Sequence, residues 1–109
     1  MKYFVFDYQR DGTCYHEFYK GKWDGKTFWK SDSISLSDDD LDYFYDAIRE
    51  VIPQYDPYGD TEISIDQWNK IGEMILTKHI KTQEIYREAD DWLKSQVFPK
   101  YNCFTILGI

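Results

Sequence analysis

The chain has 109 residues, a length that accommodates one hydrophobic core, and we therefore treat residues 1–109 as a single domain. Hydrophobic residues make up 42% of the chain and charged residues 30%, with six Gly and three Pro, which excludes collagen-like, low-complexity and disordered classes. The formal net charge is −7, and no stretch approaches the ~20 apolar residues of a membrane span. The apolar run at the N-terminus is broken by Asp7 and is too short for a signal peptide, so we expect a cytoplasmic protein.

The N-terminal third has the pattern of an antiparallel meander. Residues 3–8 alternate between two faces, which predicts a strand. A turn signal follows, and residues 13–19 predict a second strand. The Asp24-Gly25 pair then predicts a tight hairpin turn into a third strand over residues 27–30.

The pattern changes to a helical period at Ser37. The hydroxyl of this residue and the three acids that follow it are typical of a helix N-terminus, because the unpaired N–H groups there bind oxygen atoms and favour negative charge. Pro53 ends the predicted helix. The apolar residues between them fall on one helical stripe, namely Leu41, Phe44, Tyr45, Ile48, Val51 and Ile52.

Two more helices and a closing strand complete the predicted fold. A second helix begins near residue 65, with Ser64 and Gln67 in capping-box spacing, and its apolar stripe places His79 in the core. A third helix is predicted over residues 82–96, and residues 102–107 are β-branched and aromatic enough for a strand. The order of elements predicts an α+β fold. In it, an antiparallel sheet, made of the N-terminal meander and the C-terminal strand, packs against three helices on one face.

The negative charge is concentrated in one third of the chain. Residues 31–66 carry eleven acids against Arg49 alone, a balance of −10, whereas residues 1–30 carry +2 and residues 67–109 carry +1. A concentrated negative patch attracts a basic partner, so the location of the charge favours a protein-binding function.

The acids of the first helix share one flank. Asp42, Asp46 and Glu50 advance by only about 40° per step around the helix, and Tyr43 lies at the edge of the same flank. Carboxylates set the rate at which a basic protein associates, and tyrosine supplies rigid contact area. The flank continues into the loop after the helix. The predicted partner-binding residues are Asp38, Asp39, Asp42, Tyr43, Asp46, Glu50, Tyr55, Asp56, Tyr58, Asp60 and Glu62.

An alternative function is suggested by residues 56–67, which resemble in part the twelve-residue calcium loop of an EF-hand. Acids stand at its first, fifth and seventh positions. The third, sixth and twelfth positions depart from the pattern, because they hold Tyr58, Thr61 and Gln67 where the site needs an oxygen ligand, a glycine and a bidentate glutamate. A small regulatory domain with this degenerate loop is the alternative; otherwise we expect no metal ion and no cofactor.

Catalysis and nucleic-acid binding have weaker signals. Cys14 and His16 share a strand face, as a nucleophile and its base would, but no third group orients the histidine, so we expect no enzyme. Cys14 and Cys103 are interpreted as reduced, buried thiols, as is usual in the cytoplasm. Residues 19–30 interleave lysines with aromatic residues. Because phosphate is repelled by a chain of charge −7, we interpret these lysines as protection of an edge strand.

Residues 58–71 (YGDTEISIDQWNKI), in a small acidic chain rich in Tyr and Trp, resemble immunity proteins of bacterial polymorphic-toxin and contact-dependent growth inhibition systems. The resemblance implies a cytoplasmic antitoxin that binds one cognate toxin domain, often a basic nuclease, and blocks its active site by shape and charge. The expected partner is therefore a basic protein, with no nucleic acid and no membrane. We expect the protein itself to be a monomer or a weak homodimer.

Overall fold

The computed structural model describes residues 1–108 and confirms the α+β class. Its strands are β1 (Tyr15–Lys20), β2 (Ile34–Ser37), β3 (Asp60–Ser64) and β4 (Cys103–Leu107). Its helices are α1 (Asp38–Val51), α2 (Ile65–Ile75) and α3 (Ile80–Trp92), and a π-helical turn over Leu93–Val97 follows α3. The four strands form one antiparallel sheet in the order β2-β1-β4-β3, so the C-terminal strand lies beside β1 in the centre.

The helices pack against one face of the sheet. Phe18 of β1 stands opposite Ile34 of β2 and Ile106 of β4, so these side chains point to the same face. Full burial of a side chain of this size stabilises the fold by about 1.5–3 kcal/mol. All three helices contribute to the core on this face, among other residues with Phe44, Ile48, Trp68, Ile71 and Ile85.

The predicted helix starts are confirmed in atomic detail. Ser37 Oγ accepts a hydrogen bond from the N–H of Asp40 at 3.2 Å, which caps α1. Ser64 and Gln67 form the capping box of α2, with each side chain accepting from the backbone N–H of the other at 3.1 and 2.9 Å. A cap of this kind stabilises a helix by ~1 kcal/mol.

The strand predicted over residues 3–8 was wrong. Only Val5 forms a bridge to the sheet, through two hydrogen bonds with Ser35, and a short 3-10 helix follows over Asp7–Gln9. The reason lies in α3, where the Glu88 carboxylate accepts the N–H groups of the three residues from 2 to 4 at 2.7–2.9 Å. These donors are thereby unavailable to a strand ladder.

The strand predicted over residues 27–30 was also wrong. A turn does form at the predicted place, where Asp24 Oδ1 accepts from the N–H groups of residues 26 and 27. The partner of β1 is, however, β2, and residues 21–33 form a loop across the sheet face opposite the helices. Glu17 of β1 is 1% exposed on that face and accepts the N–H groups of Trp29 and Lys30 at 2.6 and 3.0 Å. Trp29 adopts a φ of 57°, a conformation that costs a non-glycine residue ~1–2 kcal/mol.

Two further differences concern residues 60–64 and His79. No strand was predicted over residues 60–64, but they pair with β4 as an edge strand. His79, expected in the core of the second helix, is exposed in the connection between α2 and α3, where its Nδ1 accepts from the N–H of Lys81 and caps α3. The prediction failed because the spacing of His79 matches the apolar stripe of α2, although this helix ends at Ile75.

The two cysteines lie at opposite ends of the sheet. Cys14 was expected to be buried in a strand, but it is exposed and precedes β1. Cys103 is buried at the start of β4, as expected. Because Glu17 stands opposite Leu107 in the antiparallel pair, the two thiols are roughly 20 Å apart along the strands. Burial raises the pKa of the Cys103 thiol. Within residues 1–108, no helix has the length and hydropathy needed to cross a membrane.

Candidate partner-binding surface

The outer flank of α1 presents carboxylates that the fold does not use. Asp39, Asp42, Asp46 and Glu50 are all exposed. Within residues 1–108, none of these four side chains forms an ion pair or a hydrogen bond. Asp38 is also exposed, but its Oδ1 lies 2.8 Å from Nε2 of the fully buried His16.

A second group of exposed residues lies in the turn and strand after α1. Asp56 Oδ1 accepts the N–H of Tyr58 at 2.9 Å, so this carboxylate fixes the turn, and the Tyr58 side chain is 77% exposed. Asp60 and Glu62 are exposed on β3, at the edge of the sheet. Because they are two residues apart on a strand, their side chains point to the same face.

Tyr55 is not on this surface, contrary to our prediction. It is 3% exposed and packs against Tyr45, with the ring centroids 5.9 Å apart. Burial raises the pKa of the Tyr55 phenol, and the charges of Tyr45, Asp38 and Asp56 add to the effect. Asp38, at the start of α1, and Asp56, in the turn after α1, therefore both lie near the buried side chain of Tyr55.

Tyr43 is exposed but held in place. The side chain is 43% exposed, and the Lys81 ammonium lies 4.7 Å from the centroid of its ring. Lys81 in turn pairs with Asp40 at 3.0 Å, and this hydrogen bond raises the pKa of the Lys81 ammonium. The ring of His79 is also near, 6.3 Å from that of Tyr43. A tyrosine fixed in this way loses little conformational freedom when a partner binds.

We call the exposed members of the predicted set the acidic surface. Apart from Asp38 and Asp56, its carboxylates contact no donor in the described part of the chain. The acidic surface consists of Asp38, Asp39, Asp42, Tyr43, Asp46, Glu50, Asp56, Tyr58, Asp60 and Glu62.

Cations at the margin of the acidic surface were not predicted. Lys78 lies with Asp46, Arg49 and Glu50 around an open depression, yet it forms no ion pair within the described residues. The guanidinium of Arg49 instead donates to the hydroxyl of Tyr45 at 2.9 Å. The sequence did not predict Lys78 and Lys81 at this place. Lys78 belongs to the connection between α2 and α3, and Lys81 belongs to the first turn of α3.

Aromatic residues of the loop over residues 21–33 adjoin two members of the acidic surface, Tyr58 and Asp60. Trp23 and Phe28 face Tyr58 and Asp60 across a cavity of about 270 Å³, which also contacts Leu107. The rings of Trp23 and Phe28 are 5.2 Å apart. We call this cavity the aromatic pocket. No local pattern indicated it, because its two sides are more than 25 residues apart in the sequence.

A second cavity, of about 470 Å³, lies between the N-terminal segment, β1 and α3. Three of its titratable side chains already serve the fold. Lys20 is 3.8 Å from Asp32 and 6.0 Å from the ring centroid of Trp92, and Glu88 anchors the N-terminal segment.

The calcium-loop alternative is not supported by the geometry. Asp60 and Glu62 extend along β3, and Asp56 caps its own turn. Among residues 1–108, no three His, Cys, Asp or Glu side chains come together in a way that could hold a metal ion. The geometry also does not support Cys14 and His16 as a nucleophile and its base. The thiol is exposed, whereas the imidazole is fully buried and hydrogen-bonded to Asp38.

The comparisons with known proteins add no relative. No family model matches the chain, and neither a curated protein nor a solved structure is significantly similar to it. The structure therefore defines this protein as an α+β protein with a four-stranded sheet. Exposed carboxylates lie on the outer flank of α1 and on the edge strand β3, and the aromatic pocket lies beside β3.

Proposed function

We propose that this protein is an immunity protein that binds and neutralises a basic, nuclease-like toxin domain through the acidic surface. One observation carries the proposal. The exposed carboxylates on the outer flank of α1 have no partner within the described chain, although like charges four residues apart cost a helix ~0.2–0.5 kcal/mol per pair. A cation from outside the chain would offset that cost.

The mechanism follows from the charge and from the two exposed tyrosines. A nuclease domain binds phosphate with lysine and arginine, so its substrate-binding surface is complementary to a row of carboxylates. Asp42, Asp46 and Glu50 would increase the association rate by attraction over about one Debye length, ~8 Å at physiological salt. Tyr43 and Tyr58 would then be buried in the contact and exclude the nucleic acid from the toxin. The resemblance of residues 58–71 to immunity proteins points to the same partner class.

The neighbouring gene provides the direct test. An immunity protein is expected beside a gene for a large secreted protein that ends in a small basic domain. Expression of that domain alone should arrest bacterial growth, and coexpression with this protein should restore it. The two purified proteins should also form a complex; if they do not, the proposal is wrong for that pair.

Charge reversal tests whether the acidic surface is the contact. Changing Asp42, Asp46 and Glu50 together to Lys should lower the association rate by about tenfold or more and weaken its dependence on salt. A matched control changes the exposed acids Asp11, Glu73 and Asp91 to Lys, which alters the net charge equally away from this surface. Equal rates for the two variants would show that only net charge matters and that the surface is misassigned.

A further inference from the structure

The aromatic pocket is held open by its own loop. Trp23 Nε1 donates to the carbonyl of Thr27 at 2.7 Å, which fixes the indole ring. Asp24 holds the intervening turn by accepting from the N–H groups of residues 26 and 27 and from the hydroxyl of Thr27. Gly25, with a φ of 83°, allows the turn to close. The pocket is therefore formed before any ligand arrives, which lowers the entropic cost of binding.

The rings of the aromatic pocket have no lysine or arginine of the described chain over them, whereas six other aromatic rings do. Arg10 lies 3.7 Å from the ring centroid of Trp29, and lysines or Arg49 lie within 6.0 Å of the rings of five other aromatic residues. Among residues 1–108, no lysine or arginine lies over Trp23, Phe28 or Tyr58. Like the rings of the exposed Tyr8 and Tyr101, these three rings are therefore free to accept a cation from outside the chain.

A carboxylate completes the pocket. Asp60 is exposed at the start of β3 and stands opposite Leu107, which is 3% exposed and gives the pocket an apolar base. Aromatic faces and one carboxylate form an environment for a cation, because both attract positive charge while the rings exclude water. A guanidinium fits better than an ammonium, since it is planar, stacks on rings and donates two parallel hydrogen bonds to a carboxylate.

We propose that the aromatic pocket binds the guanidinium of an arginine side chain of the basic partner, stacked on the three rings and paired with Asp60. The identity of the partner rests on the proposed function, but the recognition of guanidinium does not. At about 270 Å³ the pocket is smaller than the ~300–1,000 Å³ of most small-molecule sites, which suits a single side chain. Tyr58 and Asp60 are among the residues predicted to bind the partner, so the arginine would belong to the same complex.

The first experiment uses the protein alone with N-acetyl-arginine amide as the probe. Titration followed by two-dimensional NMR should shift the indole N–H signal of Trp23 and the amide signals around Asp60, with a dissociation constant of roughly 1–10 mM, as expected for a fragment. N-acetyl-citrulline amide, which has the same shape without the charge, should cause no shift. N-acetyl-lysine amide should bind about fivefold more weakly.

Two variants locate the binding. Asp60→Asn and Tyr58→Leu should each weaken the arginine probe by about fivefold, because one removes the charge and the other removes a ring. Matched controls are Glu62→Gln on the same strand and Tyr8→Leu, which removes a tyrosine that is 82% exposed far from the pocket along the chain. Thermal melts should be unchanged in all four. The proposal is overturned by no shift with the arginine probe, by an equal shift with citrulline or lysine, or by equal effects of the controls.

A second experiment separates this inference from the proposed function. Against the cognate toxin domain, Asp60→Asn should raise the dissociation rate by about fivefold with little change in the association rate. If the toxin binds but its dissociation rate is unaltered, the pocket has no part in the contact and the inference fails while the proposed function stands. If the toxin does not bind although the arginine probe does, the proposed function fails and the pocket remains a guanidinium site.

Discussion

The carboxylates of this protein fall into two groups that differ in what they contact. On the outer face of the sheet and on α3, Glu17 and Glu88 accept backbone N–H groups, and Asp90 accepts from Trp68 Nε1 and pairs with Lys94 at 2.8 Å. On the acidic surface, Asp42 and Asp46 contact no donor within the described chain. The first group holds the fold together, and the second is available to a partner.

The difference shows that net charge alone says little about function. Glu17 and Glu62 lie on neighbouring rows of the same sheet face, because Tyr19 and Glu62 are both opposite Thr105. A loop covers one of these glutamates and leaves the other in water. Four sets of substitutions test whether the two groups differ in this way.

The largest effect is expected for Glu17→Gln. The amide would direct an N–H₂ group at one of the N–H donors of Trp29 and Lys30, so a buried charge-assisted hydrogen bond is lost and a donor is left unpaired. The free energy of unfolding should fall by about 2–3 kcal/mol in urea denaturation. The control Glu62→Gln should change it by less than ~0.5 kcal/mol. Equal losses would show that the two groups do not differ.

A smaller effect is expected for Glu88→Gln. The substitution weakens the anchor of the N-terminal segment, which also carries the buried Phe4. We expect a loss of about 1–2 kcal/mol, together with faster hydrogen exchange of the amides of residues 2–4. The neighbouring Asp91→Asn serves as the control, because Asp91 is exposed. Unchanged exchange in the Glu88 variant would mean that the segment is held by other contacts.

Neutralising the flank of α1 should have a small effect of opposite sign. The triple change Asp42→Asn, Asp46→Asn and Glu50→Gln removes three like-charge pairs spaced four residues apart, because Asp38 pairs with Asp42 as well. The free energy of unfolding should therefore rise by about 0.6–1.5 kcal/mol. Urea denaturation at low salt is the measurement. A loss of more than ~1 kcal/mol would place these residues among those that hold the fold together.

The smallest effect is a dependence on pH that comes from Asp24. Hydrogen bonds from the Thr27 hydroxyl and from the N–H groups of residues 27 and 26 lower the pKa of Asp24 from 3.8 to about 2. Because the pKa is lower in the folded state, the carboxylate stabilises the fold above about pH 4, and this contribution disappears as the pH falls to about 2. The stability difference between the protein and Asp24→Ala should therefore shrink over this interval. A difference that is constant with pH would contradict the assignment.

Local features of the fold were predictable, and features that depend on distant groups were not. The caps at Ser37 and Ser64 follow from residues three positions away, so the sequence indicated both. The strand predicted over residues 3–8 failed because Glu88, more than 80 positions later, captures its N–H groups. The burial of Tyr55 was missed for a similar reason. The ring of Tyr45 covers it, and the position of that ring depends on the packing of α1.

The candidate site also has one part that was predictable from local sequence and one part that was not. Helical spacing was sufficient to place the acids of α1 on one flank, because a helix determines direction from sequence position alone. The aromatic pocket could not be foreseen, because the loop that carries Trp23 and the edge strand that carries Asp60 meet only through the order of the strands in the sheet.

The class of the fold, the helix starts after Ser37 and Ser64 and the concentration of negative charge between residues 31 and 66 follow from the amino-acid sequence. Which carboxylates remain in water depends on the tertiary structure. An acid is buried where backbone N–H groups from distant segments converge on it, as on Glu17, and stays exposed where none reach it, as on Asp46. That convergence depends on long-range packing, which no local pattern of residues encodes.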